Sequence, residues 1–114
     1  MDSTVAVGAL GALAQEHRLA LFRLLVQAGP RGMAAGAIAE ALGIPPSSLS
    51  FHLAQLRSAE LIAQERQHRT IIYRANYPAM NALLAYLMEN CCAASTCEGE
   101  GACEGATTDE RESA

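Results

Sequence analysis

All four cysteines of the chain lie near its carboxyl end, at Cys91, Cys92, Cys97 and Cys103. Thiolate sulfur is a soft ligand, so such a cluster predicts a site for a soft, thiophilic ion. Zinc, cadmium, copper(I), arsenite and antimonite all accept thiolates. Many zinc sites also use histidine, and no histidine follows the cysteines. The residues predict a soft-ion site without choosing the ion.

Thiols also carry redox and covalent chemistry. Neighbouring cysteines that oxidise would form a redox switch, and a small thiol oxidoreductase would use Cys91 and Cys92 as its reactive pair. A metal-storage or shuttle protein would need the thiols alone. The chain has no C-x-x-C motif on a βαβ pattern, no glycine-rich phosphate loop and no Cys/His/Asp arrangement in which a base activates a nucleophile. We therefore expect that the chain is not an enzyme.

The composition indicates which kind of domain positions these thiols. A chain of 114 residues suffices for one globular domain, and 51% of it is hydrophobic without any tryptophan. Alanine and leucine are abundant, which favours helices over a sandwich or barrel. No stretch reaches the length of a membrane span, and 1–10 lacks the basic region of a signal peptide, so we expect a cytoplasmic protein without membrane contact. In that reducing compartment the cysteines are expected to be ligands or reactive thiols.

The hydrophobic spacing predicts five helices and one β-hairpin. The predicted helices cover 5–14, 16–28, 34–42, 45–60 and a last segment that begins at Pro78, and the predicted strands cover 61–65 and 70–75. The last helix carries an apolar stripe of Met80, Leu83, Leu84, Leu87 and Met88, which Cys91 continues by its spacing. No large apolar residue follows Cys92, so we expect a folded domain over 1–92 and a flexible acidic tail with cysteines over 93–114.

The charge distribution leaves room for a nucleic-acid partner. The net charge is −4, but six of the twelve acidic residues lie in 98–114, so the remainder of the chain is about neutral. Arg66, Arg69 and Arg74 lie with His68 in the predicted hairpin and form the densest positive cluster. A local basic surface of this kind suits phosphate binding.

The fourth predicted helix has one apolar and one polar side. Leu49, Leu53 and Leu56 share the side that we expect to be buried, and the opposite side carries Ser47, Phe51, Gln55 and Ser58. Helix, tight turn, helix and basic hairpin, in this order, predict a winged helix-turn-helix that binds double-stranded DNA with this helix in the major groove. The alternative is an ordinary core stripe with a solvated polar face.

The residues resemble the ArsR/SmtB family of metal-sensing repressors over about 9–90. The similar segments are 10–14, 16–19, 38–44, 49–57, 60–62 and 73–74, and the most specific of them contains Ser50-Phe51-His52-Leu53. The resemblance implies a homodimer that pairs through its first and last helices, binds a palindromic operator without ligand and leaves the DNA when metal binds. The chain departs from the family at Pro45, where a Ser or Thr cap is usual, and at the wing tip, where Gln67 or His68 replaces a glycine.

Arsenic-responsive members of that family resemble this chain in having an adjacent cysteine pair and a third cysteine near the end of the last helix. Trivalent arsenic prefers three thiolates in a pyramid, so the resemblance implies Cys91, Cys92 and Cys97 as ligands, with Cys103 as a spare or alternative. Arsenite is the expected inducer, and antimonite or methylarsenite would use the same thiols. The family's commoner arsenic motif places its cysteines before the recognition helix, where 34–41 has none. Zinc or cadmium sensing and thiol-redox sensing stay open.

We therefore predict a mainly α protein with a small β-hairpin, a winged helix-turn-helix of the order α-α-α-α-β-β-α, that acts as a metal- or metalloid-responsive transcriptional repressor. The predicted DNA-contacting residues are Ser47, Ser48, Ser50, Phe51, His52, Gln55, Arg66, His68 and Arg69. Hydroxyl and amide groups suit base edges and phosphates, and the arginines suit phosphates.

Overall fold

The computed structural model describes residues 1–93 of the chain. This part folds into five α-helices and a three-stranded antiparallel sheet. The helices are α1 (Ser3–Leu13), α2 (Glu16–Ala28), α3 (Ala35–Leu42), α4 (Pro46–Ser58) and α5 (Tyr77–Leu87), and the strands are β1 (Met33–Ala34), β2 (Ile62–Gln67) and β3 (Thr70–Ala75). The predicted winged helix-turn-helix is confirmed, with one strand and a short 3₁₀ turn (Gly29–Arg31) that the sequence did not predict.

Side-chain caps set where the first two helices begin. Asp2 Oδ1 accepts a hydrogen bond from the Val5 amide at 2.9 Å, so α1 begins two residues before the predicted start at Val5. Gln15 Oε1 accepts one from the Arg18 amide at 2.9 Å and begins α2. Gly29 ends α2 with a φ of 75°, a conformation that glycine adopts at little cost. The predicted bounds of α2 are confirmed.

The core lies where the five helices meet the sheet. Its largest fully buried side chains are Leu21, Leu25, Ile38, Leu49, Leu56 and Leu61. The predicted apolar stripe of α4 is confirmed, because Leu53 is also buried. α1 contributes only Ala6, Ala9 and Ala12, one residue per turn, so its backbone packs close to its neighbours.

The sheet has the strand order β1-β3-β2. β2 and β3 form the predicted hairpin, whose last register pair is Gln67 with Thr70, so the turn contains only His68 and Arg69. His68 has a φ of 61°, at the tip where the family usually has glycine. β1 pairs with the edge of β3 that faces away from β2, and this pairing places Met33 opposite Tyr73 and Ala34 opposite Ile72. The wing is therefore tied to the body by a third strand.

Asn76 connects the hairpin to the last helix. Its Oδ1 accepts from the Ala79 amide at 3.3 Å and caps α5, while its Nδ2 donates to the Glu60 carbonyl at 2.8 Å. Pro78 occupies the first turn of α5, as expected for a residue without an amide hydrogen. Within residues 1–93, no helix combines the length and hydropathy that crossing a membrane requires.

Candidate nucleic-acid interface

The turn between α3 and α4 sets the position of the candidate recognition helix. α3 ends at Gly43 in the left-handed conformation, with φ 66° and ψ 33°. Ile44 is buried and anchors the turn, and Pro45 is extended, so the chain reverses before Pro46 begins α4. No side chain caps the amino end of α4. The first-turn amides, such as those of Ser47 and Ser48, are therefore placed to receive an anion.

The exposed side of α4 carries most of the predicted DNA-contacting side chains. The structure exposes Ser47, Ser48, Ser50, Phe51 and Gln55, whereas Leu49, Leu53 and Leu56 are buried on the opposite side. Phe51 is 57% exposed, which is a large fraction for a phenylalanine. The helix thus presents hydroxyls, an amide and one aromatic ring on a single free face.

The structure corrects the placement of His52 on that exposed face. His52 is only 8% exposed, and its ring lies between α4 and α2, with its centroid 5.6 Å from that of His17 and 5.8 Å from that of Phe51. Its Nδ1 atom is buried and has no hydrogen-bond partner within the described part of the chain. His52 therefore packs between the helices and is not part of the exposed face of α4.

Burial lowers the pKa of His52 below its ordinary value of 6.5, and the nearby positive groups Arg18 and His17 lower it further. The unfolded chain then binds a proton at this residue more readily than the folded chain does. Below about pH 6.5, acid therefore favours unfolding until the pH reaches the lowered pKa of the folded state, whereas above this range protonation of His52 contributes nothing to the pH dependence of stability.

We expect the free energy of unfolding to fall as the pH is lowered from about 8 to about 5, and His52→Gln to reduce that slope. Chemical denaturation monitored by circular dichroism measures it, and the slope is informative even if the variant is less stable throughout. His68→Gln, on the exposed wing, is the matched control and should keep the wild-type slope. An H52Q slope equal to that of the wild type would contradict this role of His52.

The basic residues of the wing have two different roles. Arg66, His68 and Arg69 are exposed at the hairpin end, as a phosphate-binding surface requires. Arg74 instead forms an ion pair with Glu65, and its Nε donates to the Pro30 carbonyl at 2.7 Å. Arg74 thus attaches the wing to the 3₁₀ turn, a structural role that its membership of the basic cluster did not reveal.

The thiol pair lies beyond the last helix. α5 ends at Leu87, so the prediction that Cys91 continues its apolar stripe is wrong: the chain makes turns there, with positive φ at Asn90 and Cys92. The Cys91 amide donates to the Met88 carbonyl at 3.0 Å, which attaches the pair to the helix end. The two sulfur atoms are 3.5 Å apart. Cys97 and Cys103 lie outside the described residues, and within 1–93 no three metal-ligating side chains converge.

Apolar side chains remain exposed on the first and last helices. On α1 they are Val5, Val7 and Leu10, and at the end of α5 they are Leu84, Leu87 and Met88. Between these helices and the end of α4 lies an apolar cavity of about 510 Å³. Exposed apolar side chains on two helices that lie next to each other can form an interaction surface.

Comparison with known proteins identifies the family. Residues 13–65 match the family model of a helix-turn-helix domain. The chain is 35% identical over 88 residues to the nodulation protein NolR of Rhizobium meliloti, covering 77% of this chain and 70% of that protein. It is 33% identical over 79 residues to the HTH-type transcriptional regulator YgaV of Escherichia coli K12, covering 69% and 80% of the two chains.

Among solved structures, the fold is similar to that of a homodimeric winged helix-turn-helix DNA-binding domain of Mycobacterium bovis, described as a possible ArsR-family transcriptional regulator. The TM-score is 0.63 at 27% identity, over 74% of this chain and 76% of that one. The Escherichia coli relative is thus named as a transcriptional regulator, and the Mycobacterium bovis domain as a DNA-binding domain. With the fold, the free face of α4 and the basic wing, they show that the chain belongs to the ArsR-type winged helix-turn-helix transcriptional regulators.

Proposed function

We propose that the chain is a homodimeric repressor that binds operator DNA and releases it when trivalent arsenic binds its carboxyl-terminal thiols. The observation that carries the DNA-binding part is the free face of α4, because this helix buries its leucines, has an uncapped amino end and exposes Ser47, Ser48, Phe51 and Gln55. Such a helix enters the major groove, where its amides and hydroxyls contact phosphates and base edges. Ser50 lies at the edge of this face.

The wing completes the contact with the DNA backbone. Arg66, His68 and Arg69 are exposed at the hairpin end, and the attachment of Arg74 to Pro30 holds the hairpin in position. Exposed guanidinium groups on a supported hairpin reach phosphates or the minor groove beside the helix. These contacts supply affinity without sequence information, whereas α4 supplies the sequence preference.

The apolar surfaces of α1 and α5 support a homodimer. Leu84 and Leu87 are each 52% exposed, and Val5 and Val7 are exposed on the neighbouring helix. The similar domain of Mycobacterium bovis is homodimeric. A two-fold axis through these helices would place two copies of α4 on successive major-groove half-sites, about 34–36 Å apart.

The geometry of Cys91 and Cys92 supports the inducer. With a metal–sulfur bond of about 2.3 Å, two sulfur atoms separated by 3.5 Å bind one ion as a chelate. Cys97 is the proposed third thiolate, which gives trivalent arsenic its pyramidal site; Cys103 is the alternative, and antimonite or methylarsenite would bind in the same way. The Cys91 amide is hydrogen-bonded to the end of α5, the helix that is also proposed to form the dimer. Binding of an ion by the thiolates would therefore change the conformation of this helix end.

The same sulfur contact supports a thiol-redox sensor as the second candidate. Oxidation of Cys91 and Cys92 to a disulfide by a peroxide removes two electrons and two protons from the thiols, and the O–O bond breaks to give two waters, or one alcohol and one water from an organic hydroperoxide. Zinc or cadmium on these thiolates is a further variant of the proposal. The metal ions, arsenite and peroxide would all act at these thiols, so one set of titrations distinguishes them.

The test is fluorescence anisotropy of the reduced chain on duplex DNA from its own promoter, titrated separately with arsenite, zinc, cadmium and hydrogen peroxide. We expect tight binding that arsenite reverses at about one equivalent per chain, with an affinity loss of about a hundredfold, as a coupling free energy near 3 kcal/mol gives. Release by zinc or cadmium alone would overturn arsenic as the inducer. Release by peroxide alone would favour the redox sensor, and binding no tighter than to a scrambled duplex would overturn the repressor.

Replacing Cys92 by serine tests the thiol site directly. We expect Cys92→Ser to bind the operator as tightly as the wild-type chain and to lose the arsenite response, because a hydroxyl does not replace a thiolate for a soft ion. The measurement is the same anisotropy titration. Cys103→Ser, which removes the spare thiol, is the matched control and should respond normally. A normal response of C92S would exclude Cys92 from the site.

A further inference from the structure

Phe51 occupies the centre of the free face of α4. At about 100° per residue, Ser47 and Gln55 lie about 40° to either side of it, and the buried leucines Leu49, Leu53 and Leu56 are on the far side. The large apolar residues exposed elsewhere in residues 1–93 lie on or next to α1, α2 and α5, so within this part of the chain Phe51 is the one on α4. It is therefore separate from the apolar surface proposed for the dimer.

The exposed ring of Phe51 has an aromatic neighbour on the same helix. It contacts the ring of His52 at a centroid distance of 5.8 Å and an interplanar angle of 63°, an edge-to-face arrangement. His52 is itself buried against α2, so it supports the exposed ring from below. Leaving a phenylalanine exposed forgoes much of the stabilisation that burial gives, and a partner that covers the ring would recover it.

The chemistry of the ring limits what it can recognise. A phenylalanine has no hydrogen-bond donor or acceptor, so it does not read the polar edges of bases. In the major groove, the apolar group that distinguishes one base pair from the others is the 5-methyl group of thymine. We propose that Phe51 contacts the methyl group of one thymine in each operator half-site, an inference that rests on the proposed DNA-binding function.

The neighbouring side chains place this thymine relative to the other contacts. Gln55 lies one helical turn further along the same face, about 6 Å from Phe51 along the helix axis. Base pairs are stacked about 3.4 Å apart, so the thymine lies within about two base pairs of the base that Gln55 contacts. A glutamine amide pairs well with adenine, so the half-site combines a methyl contact and a polar contact.

The experiment replaces each thymine of the bound promoter duplex by uracil, which removes only the methyl group, and measures affinity by anisotropy at fixed salt. Burying one methyl group favours binding by about fourfold, so replacing the symmetric pair of thymines should weaken wild-type binding by about fifteenfold. Phe51→Ala should bind the thymine and uracil duplexes equally. Val26→Ala, which shortens another exposed apolar side chain on α2, is the matched control and should discriminate like the wild type.

The outcomes separate this inference from the proposed function. The methyl contact is supported if the wild-type chain binds thymine more tightly than uracil at one position per half-site, and if F51A loses this preference while V26A keeps it. Equal wild-type affinity for every uracil-substituted duplex, or undiminished discrimination by F51A, overturns the methyl contact while operator binding stands. Wild-type binding no tighter than to a scrambled duplex overturns the proposed function and this inference together. Because Phe51 is exposed, F51A should keep the wild-type circular dichroism spectrum.

Discussion

Replacing Leu84 and Leu87 together by aspartate is expected to leave the chain folded, to make it monomeric and to weaken operator binding at least a hundredfold. Both side chains are 52% exposed in the single chain and lie outside the buried core, so replacing them costs the fold much less than replacing a buried leucine. In a symmetric dimer each occurs twice, and burying the half of a leucine side chain that is still exposed contributes about 1 kcal/mol. Four aspartates at one interface would add unpaired charges to that loss. A monomer contacts only one half-site, and its affinity falls accordingly.

Light scattering after size-exclusion chromatography gives the oligomeric state, circular dichroism gives the fold, and anisotropy gives the affinity. Val26→Asp places one aspartate on an exposed apolar position of α2, outside the proposed interface, and should remain dimeric and bind DNA as the wild type does. Wild-type dimerisation and affinity in the double variant would show that this side of α5 does not form the dimer.

The helix-turn-helix could be predicted from local patterns. In α2 and α4 the leucines recur with helical spacing, and glycine or proline marks the ends, so the sequence contains both the buried face and the approximate bounds. The bounds of the wing strand β2 are harder to predict, because every residue after Ile62 is exposed and no alternation of apolar and polar residues marks its length. The structure extends it to Gln67 and shortens the turn to two residues.

The features that the sequence did not reveal depend on distant contacts. β1 has two residues and exists because Met33 and Ala34 pair with β3, about forty positions later in the chain. His52 adjoins the exposed face by its spacing, but it is buried because α2 brings His17 against it. The end of α5 was missed because the apolar spacing continues to Cys91, whereas Asn90 adopts a positive φ and the helix has already ended at Leu87.

The glycine that supports the wing should be among the least replaceable residues of the chain. Gly32 has a φ of 68° and a ψ of −168°, a region that is essentially restricted to glycine, and it lies between the 3₁₀ turn and β1. An added Cβ would collide with the Tyr73 carbonyl oxygen and would come within 2.8 Å of Arg74 Cγ and of Ile72 Cγ2. The nearest obstacle is a backbone atom of β3, which does not move without displacing the wing.

We expect Gly32→Ala to lower the free energy of unfolding by about 3 kcal/mol or more, and to weaken DNA binding because the wing is displaced. Denaturant titration at matched protein concentration measures the first effect and anisotropy the second. Gly36→Ala, in α3, is the matched control: a Cβ there meets no atom within 4 Å, so the change should be neutral or stabilising. Similar stability and DNA binding of the two variants would mean that β3 does not pass closely over Gly32, and that the wing is not held against the 3₁₀ turn.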